Sequence, residues 1–177
     1  MMSCGAVEFK ETSRQVEGTF VVRKSVKETW DLLLEDLEVR EALYGRDCNM
    51  VEWKDGKRTG VLAGIDVPSV LSIFTGGKRL KMDISQKKNT EDETVTFWLK
   101  PKVPAGETVR CKGKIFVDGT VQNESSVKIL LKPKVFLPPF MRGWVIKSLK
   151  SVSYSEIEKI NDSLNYVLER RKWASFN

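Results

Sequence analysis

The chain contains no histidine. That excludes Ser-His-Asp and Cys-His activation of a nucleophile, and it removes the commonest imidazole metal ligand and proton shuttle. Carboxylate, Lys or Tyr chemistry stays open, so an enzyme is disfavoured rather than excluded. Cysteine is scarce as well. Cys4, Cys48 and Cys111 are odd in number, widely spaced and without a CxxC, which argues against a disulfide framework or zinc site and for a reducing compartment. No apolar run approaches the roughly 20 residues that span a bilayer. Met1–Lys10 lacks the basic, apolar and small-residue layout of a signal peptide. The expected setting is cytoplasmic, with at most peripheral contact to membranes, and neither metal nor cofactor is expected.

What is present is enough for one domain. The 177 residues are 41% hydrophobic, which gives room for a real core. Thirty Lys+Arg against 24 Asp+Glu leave a net charge of +6, so the positions of the lysines matter more than their number. Residues 1–15 are polar and irregular and read as a flexible N-terminal arm; residues 16–177 read as a single domain, with monomer the expected state.

The strongest helical signal lies at the far end. After Pro138 and Pro139, Val145, Leu149, Val152, Ile160, Leu164 and Val167 recur at spacings of three, four and eight, one apolar stripe running to about Lys172. Prolines suit a helix's first turn, and Arg170, Arg171 and Lys172 suit its last. Near the start, Val16–Arg23 reads as a strand. Ser25-Val26-Lys27-Glu28 has the capping-box pattern and opens a helix to about Leu37, followed by a shorter one from Glu38 to about Tyr44.

Between these helices and the last one the pattern is of strands and turns. Cys48–Lys54 and Lys57–Val67 are joined by Asp55-Gly56, Arg79–Lys87 and Thr94–Val103 by Asn89–Asp92, and Thr108–Asp118 and Ser125–Val135 by a turn at Asp118-Gly119. Alternation directs Leu80, Met82, Ile84, Val95, Phe97, Leu99, Val109, Cys111, Ile115, Val117, Val127, Ile129 and Leu131 inward. Lys81, Lys112, Lys114, Lys128 and Lys132 then face water. The fold class is α+β: a curved antiparallel sheet of about seven strands wrapped around a long C-terminal helix, with two short helices between the first two strands.

In such a meander the two ends of the sheet differ. One carries tight polar turns. The other carries longer apolar connections, the segment Val67–Gly77 with Val70, Leu71, Ile73 and Phe74, and the segment Phe136–Met141. It also carries both copies of a short repeat, Leu99-Lys100-Pro101-Lys102-Val103 and Leu131-Lys132-Pro133-Lys134-Val135. Apolar residues in a loop either plug the core or form a gate over a cavity or a membrane-touching tip. Val70, Leu71, Ile73, Phe74, Lys102, Lys134, Phe140, Arg142 and Trp144 are the candidates for gate or membrane contact, the basic ones attracted to anionic headgroups.

This order of elements resembles the helix-grip fold of the START-like (SRPBCC) superfamily, which includes StAR-related lipid-transfer domains, the birch-pollen allergen family and polyketide cyclases. The resemblance covers about Val16–Lys172. Within that group, Trp53 before a turn, Arg58-Thr59, Val103-Pro104 and Trp144 are similar to VASt-type sterol-transfer domains. VASt domains commonly accompany a GRAM domain and a membrane anchor; this chain shows neither, so transient membrane contact is the expectation. The resemblance implies a cavity between sheet and long helix for a lipid-like ligand (sterol, fatty acid or phospholipid). Its expected lining is Val61, Ile65, Met82, Ile84, Phe97, Leu99, Cys111, Ile115, Ile129, Leu131, Val145, Leu149 and Val152. Small inward residues, Ala63, Cys111 and Gly113, would leave space, although the larger neighbours could also close it.

Three other functions compete with this one. A cyclase- or aromatase-like enzyme on the same scaffold needs an acid or base in the cavity; Asp66, Asp83, Glu107 and Glu156 are candidates, the first three outward or in loops. Nucleic-acid binding needs aromatic residues interleaved with the outward lysines, and only Phe116 fits, so no nucleic-acid partner is expected. A non-catalytic protein-interaction domain would use the lysine-studded outer face toward an acidic partner.

Overall fold

The computed structural model describes residues 2–66, 72, 79–102 and 108–177. The elements in chain order are β1 (Glu8–Glu11), β2 (Val16–Val22), α1 (Val26–Leu34), α2 (Leu37–Tyr44), β3 (Asn49–Met50), β4 (Lys57–Asp66), β5 (Arg79–Asn89), β6 (Thr94–Pro101), β7 (Val109–Gly119), β8 (Ser125–Val135) and α3 (Pro139–Ser175). The strands form one antiparallel sheet in the order β1-β2-β8-β7-β6-β5-β4-β3. From β3 to β8 neighbours in sequence are neighbours in space, and the β2–β8 pairing brings the first part of the chain to the last strand. Among the described residues no helix is long and apolar enough to cross a membrane.

The sheet has to bend, and two contacts of α3 show how much. Ile157 packs so tightly on β2 that a Cβ on Gly18 would come within 2.5 Å of its Cγ2. Two residues on, Lys159 Nζ donates to the Gly64 carbonyl of β4 at 3.4 Å. In a flat sheet β2 and β4 would lie five spacings apart, about 24 Å, beyond the reach of one helix about 10–12 Å across. The sheet therefore curls round α3, as a helix-grip fold requires.

Sequence expectations hold for the capping box. Ser25 accepts from the Glu28 amide while Glu28 accepts from the Ser25 amide at 3.0 Å, and Pro139 occupies the first turn of α3. Two expectations need correction. The sheet has eight strands rather than seven, because the supposed flexible arm supplies β1, paired along its length with β2. Its polar residues are held by specific partners. The Ser3 amide and hydroxyl donate to Glu169, the Cys4 amide donates to Asn165 at 2.7 Å, and Asn161 donates to the Gly5 carbonyl. Cys4 is buried in consequence, and burial pushes its thiol up to about 12.

The second correction concerns β4. Leu62 pairs with Met82 but Ile65 pairs with Leu80, so two residues on β4 oppose one on β5. Gly64, at φ +73°, makes this bulge without side-chain strain. Parity switches across it: Arg58, Gly60 and Leu62 point inward before the bulge and Ile65 after it. Val61, expected inside, faces outward opposite Asp83.

Candidate functional site

The concave face holds a cavity of about 100 Å³, bounded by β3–β8, the α1–α2 hairpin and Ile160 of α3. Leu62, Ile84, Phe97, Leu99, Ile115 and Ile129 form its floor, and Leu33, Leu34, Val39, Leu43, Tyr44 and Met50 form its roof. Of the expected lining, Ile84, Phe97, Leu99, Ile115 and Ile129 are therefore brought together. Ile65, Met82 and Leu131 are buried elsewhere in the core, and Cys111 is half-buried beside it. Val145 is buried near the start of α3, while Leu149 and Val152 are only half-buried and lie off the cavity. The space lies under the short-helix hairpin more than under the long helix. Its roof, from the two short helices and Met50 of β3, was not among the expected lining.

Gly113 does not leave the space expected of it. A Cβ there would collide with Phe97 Cζ, so the missing side chain makes room for that ring. The cavity is smaller than the roughly 300–1,000 Å³ of drug-sized ligand pockets. It accommodates a single ring or a short branch of chain, and a larger ligand needs Phe97 or the hairpin to move.

One wall is polar. Arg58, 7% exposed, donates through Nε to Gln86 and through Nη2 to the Leu34 carbonyl at 2.6 Å. Arg40 Nη2 donates to that same carbonyl at 3.1 Å. Glu35 lies 3.8 Å from Arg58 and accepts from the Trp53 indole, and the Arg58 guanidinium packs over the Trp53 ring. Burial lowers Arg58 to about 10, with Glu35 opposing the shift, so it remains charged at neutral pH. Sequence reasoning noticed Arg58 only as part of a family-like pattern. Its alternation with Leu62 was the available sign that it points inward.

The acid–base inventory of this wall is one-sided. Tyr44 lines the cavity, and burial, with Glu156 and Cys48 adding to it, pushes its phenol well above the usual range, so it stays protonated. Asp36 caps the Val39 amide and pairs with Arg171 at 2.8 Å. Glu156 is raised by burial and by Asp66, with Lys159 opposing, but it is not part of the lining. Asp66 and Asp83 are exposed on strand faces away from the cavity, and Glu107 lies outside the described residues. The wall offers hydrogen-bond donors, and the carboxylate in the cavity lining, Asp36, is already engaged by the Val39 amide and Arg171. Among the described residues no group of three His, Cys, Asp or Glu side chains is placed to hold a metal.

At the end of the sheet where α3 begins, Phe136 and Phe140 are exposed and Trp144 is about half exposed. Lys102, Lys134 and Arg142 are exposed at the same end, Arg142 donating to the Leu137 carbonyl. Val70, Leu71, Ile73 and Phe74 lie outside the described residues. Ser148 is half-buried and bonds back to Trp144, Ser153 bonds back to Leu149, and Tyr154 donates to Glu11. None of these three hydroxyls turns to the cavity.

No family model matches the sequence, and neither does any curated protein. Solved structures do match. The Zhui aromatase/cyclase from Streptomyces sp. R1128 superposes with a TM-score of 0.66 at 12% identity, over 89% of this chain and 94% of that one. A START superfamily protein from Mycobacterium smegmatis gives 0.57 at 13%, over 89% and 98%. The protein TTHA0849 from Thermus thermophilus gives 0.58 at 13%, over 85% and 96%. The chain has the START-like helix-grip fold. At these identities the likeness concerns architecture alone, and architecture does not fix function.

Proposed function

We propose that this START-like domain is a non-catalytic binder, and a carrier, of a lipid-like apolar molecule that bears one polar oxygen. The observation that carries the reading is the cavity's lining, apolar on floor and roof with Arg40 and Arg58 converging on one wall; a lipid-sized ligand enters as Phe97 and the α1–α2 hairpin move aside. Apolar burial at about 25 cal/mol per Å² supplies affinity, and a guanidinium N–H orients the oxygen. The enzyme reading, prompted by the aromatase/cyclase likeness, is less well supported because the lining carboxylate, Asp36, is taken up by the Val39 amide and Arg171.

Delivery or uptake would occur at the end marked by Phe136, Phe140 and Trp144, whose rings suit the interface of a bilayer while Lys102, Lys134 and Arg142 meet anionic headgroups. The Val70–Phe74 segment belongs to this proposal as its gate.

Methyl NMR of the full chain titrated with oleate, cholesterol and a short-chain phospholipid tests the reading. Binding in the cavity shifts Ile84, Ile115, Ile129 and Ile160 together. Shifts confined to surface methyls, or none across the three, would overturn it. Vesicle sedimentation tests the membrane part: binding to phosphatidylserine vesicles should weaken between 0.05 and 0.5 M salt, about the range over which screening becomes severe.

A further inference from the structure

We propose that the outer face of β7 and β8 is a docking surface for an extended acidic polypeptide segment, independent of the cavity. The register sets like charges side by side: Arg110 opposite Lys134, and Lys112 opposite Lys132. Further along, Lys128 stands opposite Phe116. Cross-strand neighbours of one sign oppose pairing, so this arrangement works against the sheet that carries it. Lys114 is neutralised by Asp92 at 2.6 Å. Among the described residues Lys112, Lys128, Lys132 and Lys134 make no ion pair.

Geometry and chemistry select the occupant. Charges on each strand repeat every second residue, about 6.8 Å, the same repeat as alternate side chains of an extended peptide lying beside it. The face offers a bilayer one half-exposed ring, Trp98, covered by Lys112; Leu130 is half-buried, and the more exposed rings of the tip lie at the end of the sheet. Its curvature around α3 leaves a plane touching only a narrow strip, whereas a chain can follow the strands. Single-stranded nucleic acid needs open rings for base stacking. Phe116 instead carries Lys114 and Lys128 ammonium groups at 5.2 and 4.4 Å, and Trp98 carries Lys112 at 5.9 Å. Carboxylates, which need only point charges, match this surface.

The test uses a fluorescein-labelled peptide of twelve glutamates, read by anisotropy against the full chain at low salt. Lys132→Glu with Lys134→Glu turns both like-charge pairs into opposite-charge pairs. Peptide affinity should fall at least tenfold while the thermal unfolding midpoint rises. Lys27→Glu with Arg46→Glu changes net charge equally, on α1 and just after α2 rather than on the sheet, and should cost less than threefold. Equal losses in both double variants, or no binding by the unaltered protein, would overturn the proposal. So would tighter binding of oligo-dT or phosphatidylserine vesicles that is lost in Lys132→Glu alone, since Lys134 also borders the proposed membrane-facing end; that would assign the face to another class of polyanion. A lowered midpoint in the Lys132→Glu/Lys134→Glu variant would remove the register argument.

Discussion

Removing the Phe97 ring should open permanently the space that a larger ligand otherwise gains only when that ring moves. Phe97 is 8% exposed, lies against Gly113 and forms part of the cavity floor. Phe97→Ala loses the ring's transfer energy and leaves a void, together about 3–5 kcal/mol. A domain of ordinary stability, about 5–15 kcal/mol, survives that loss. The vacated space is comparable to the ~150 Å³ engineered void that binds benzene. Because it adjoins the existing cavity of about 100 Å³, the joined volume approaches the lower end of ligand pockets. Urea unfolding followed by circular dichroism, with and without naphthalene, reads both effects. The variant should lose about 3–5 kcal/mol and regain about 2.7 kcal/mol when naphthalene reaches a hundredfold excess over its Kd. A loss below about 1 kcal/mol would show that the ring fills no core space. A full loss without recovery would show a void that stays open yet admits no apolar ligand, and the cavity argument would fail with it.

Other consequences follow from single contacts. Arg58→Leu strips the Leu34 carbonyl and Gln86 of a buried charged donor and should cost about 2–3 kcal/mol in urea unfolding; an unchanged midpoint would mean the guanidinium is not holding the hairpin to the sheet. Gly18→Ala forces a methyl into Ile157 and should destabilise by about 1–3 kcal/mol, partly rescued by Ile157→Val, with no rescue contradicting the close approach. Glu156 has a folded pKa raised by burial, so its contribution is fully present below the unfolded carboxylate pKa and is lost as pH rises through the folded value. Glu156→Gln, which cannot ionise, should therefore be more stable than the parent at pH 7 and no more stable at pH 4. A variant less stable at pH 7 would show that the Lys159 pair at 4.0 Å outweighs the burial.

Much of the fold was legible because its signals were local. Alternation in β5, β7 and β8, the Ser25–Glu28 box and the two prolines before α3 each specify an element without reference to the rest of the chain. What was missed depends on distant partners. Polar Ser3–Gly5 looks like loose chain until Asn161, Asn165 and Glu169, over 150 residues away, supply its hydrogen bonds. For the same reason the inner line of α3 runs through Ser153, Ile157 and Asn161 as well as Leu164, where an apolar stripe alone would not place it. The Gly64 bulge inverted the parity of Val61, since a glycine in a strand marks an irregularity without saying which side it shifts. At the site, five floor residues were legible from alternation, while Arg40, Arg58 and Tyr44 gain meaning only when the hairpin is folded over the sheet.

The central claim is that the cavity takes up an apolar ligand. Native mass spectrometry of protein purified from a eukaryotic host, followed by organic extraction, addresses it directly. The account predicts one stoichiometric adduct that extracts as a sterol, fatty acid or phospholipid and is diminished in Ile115→Lys. A protein that is empty as purified and still empty after incubation with all three classes would contradict it.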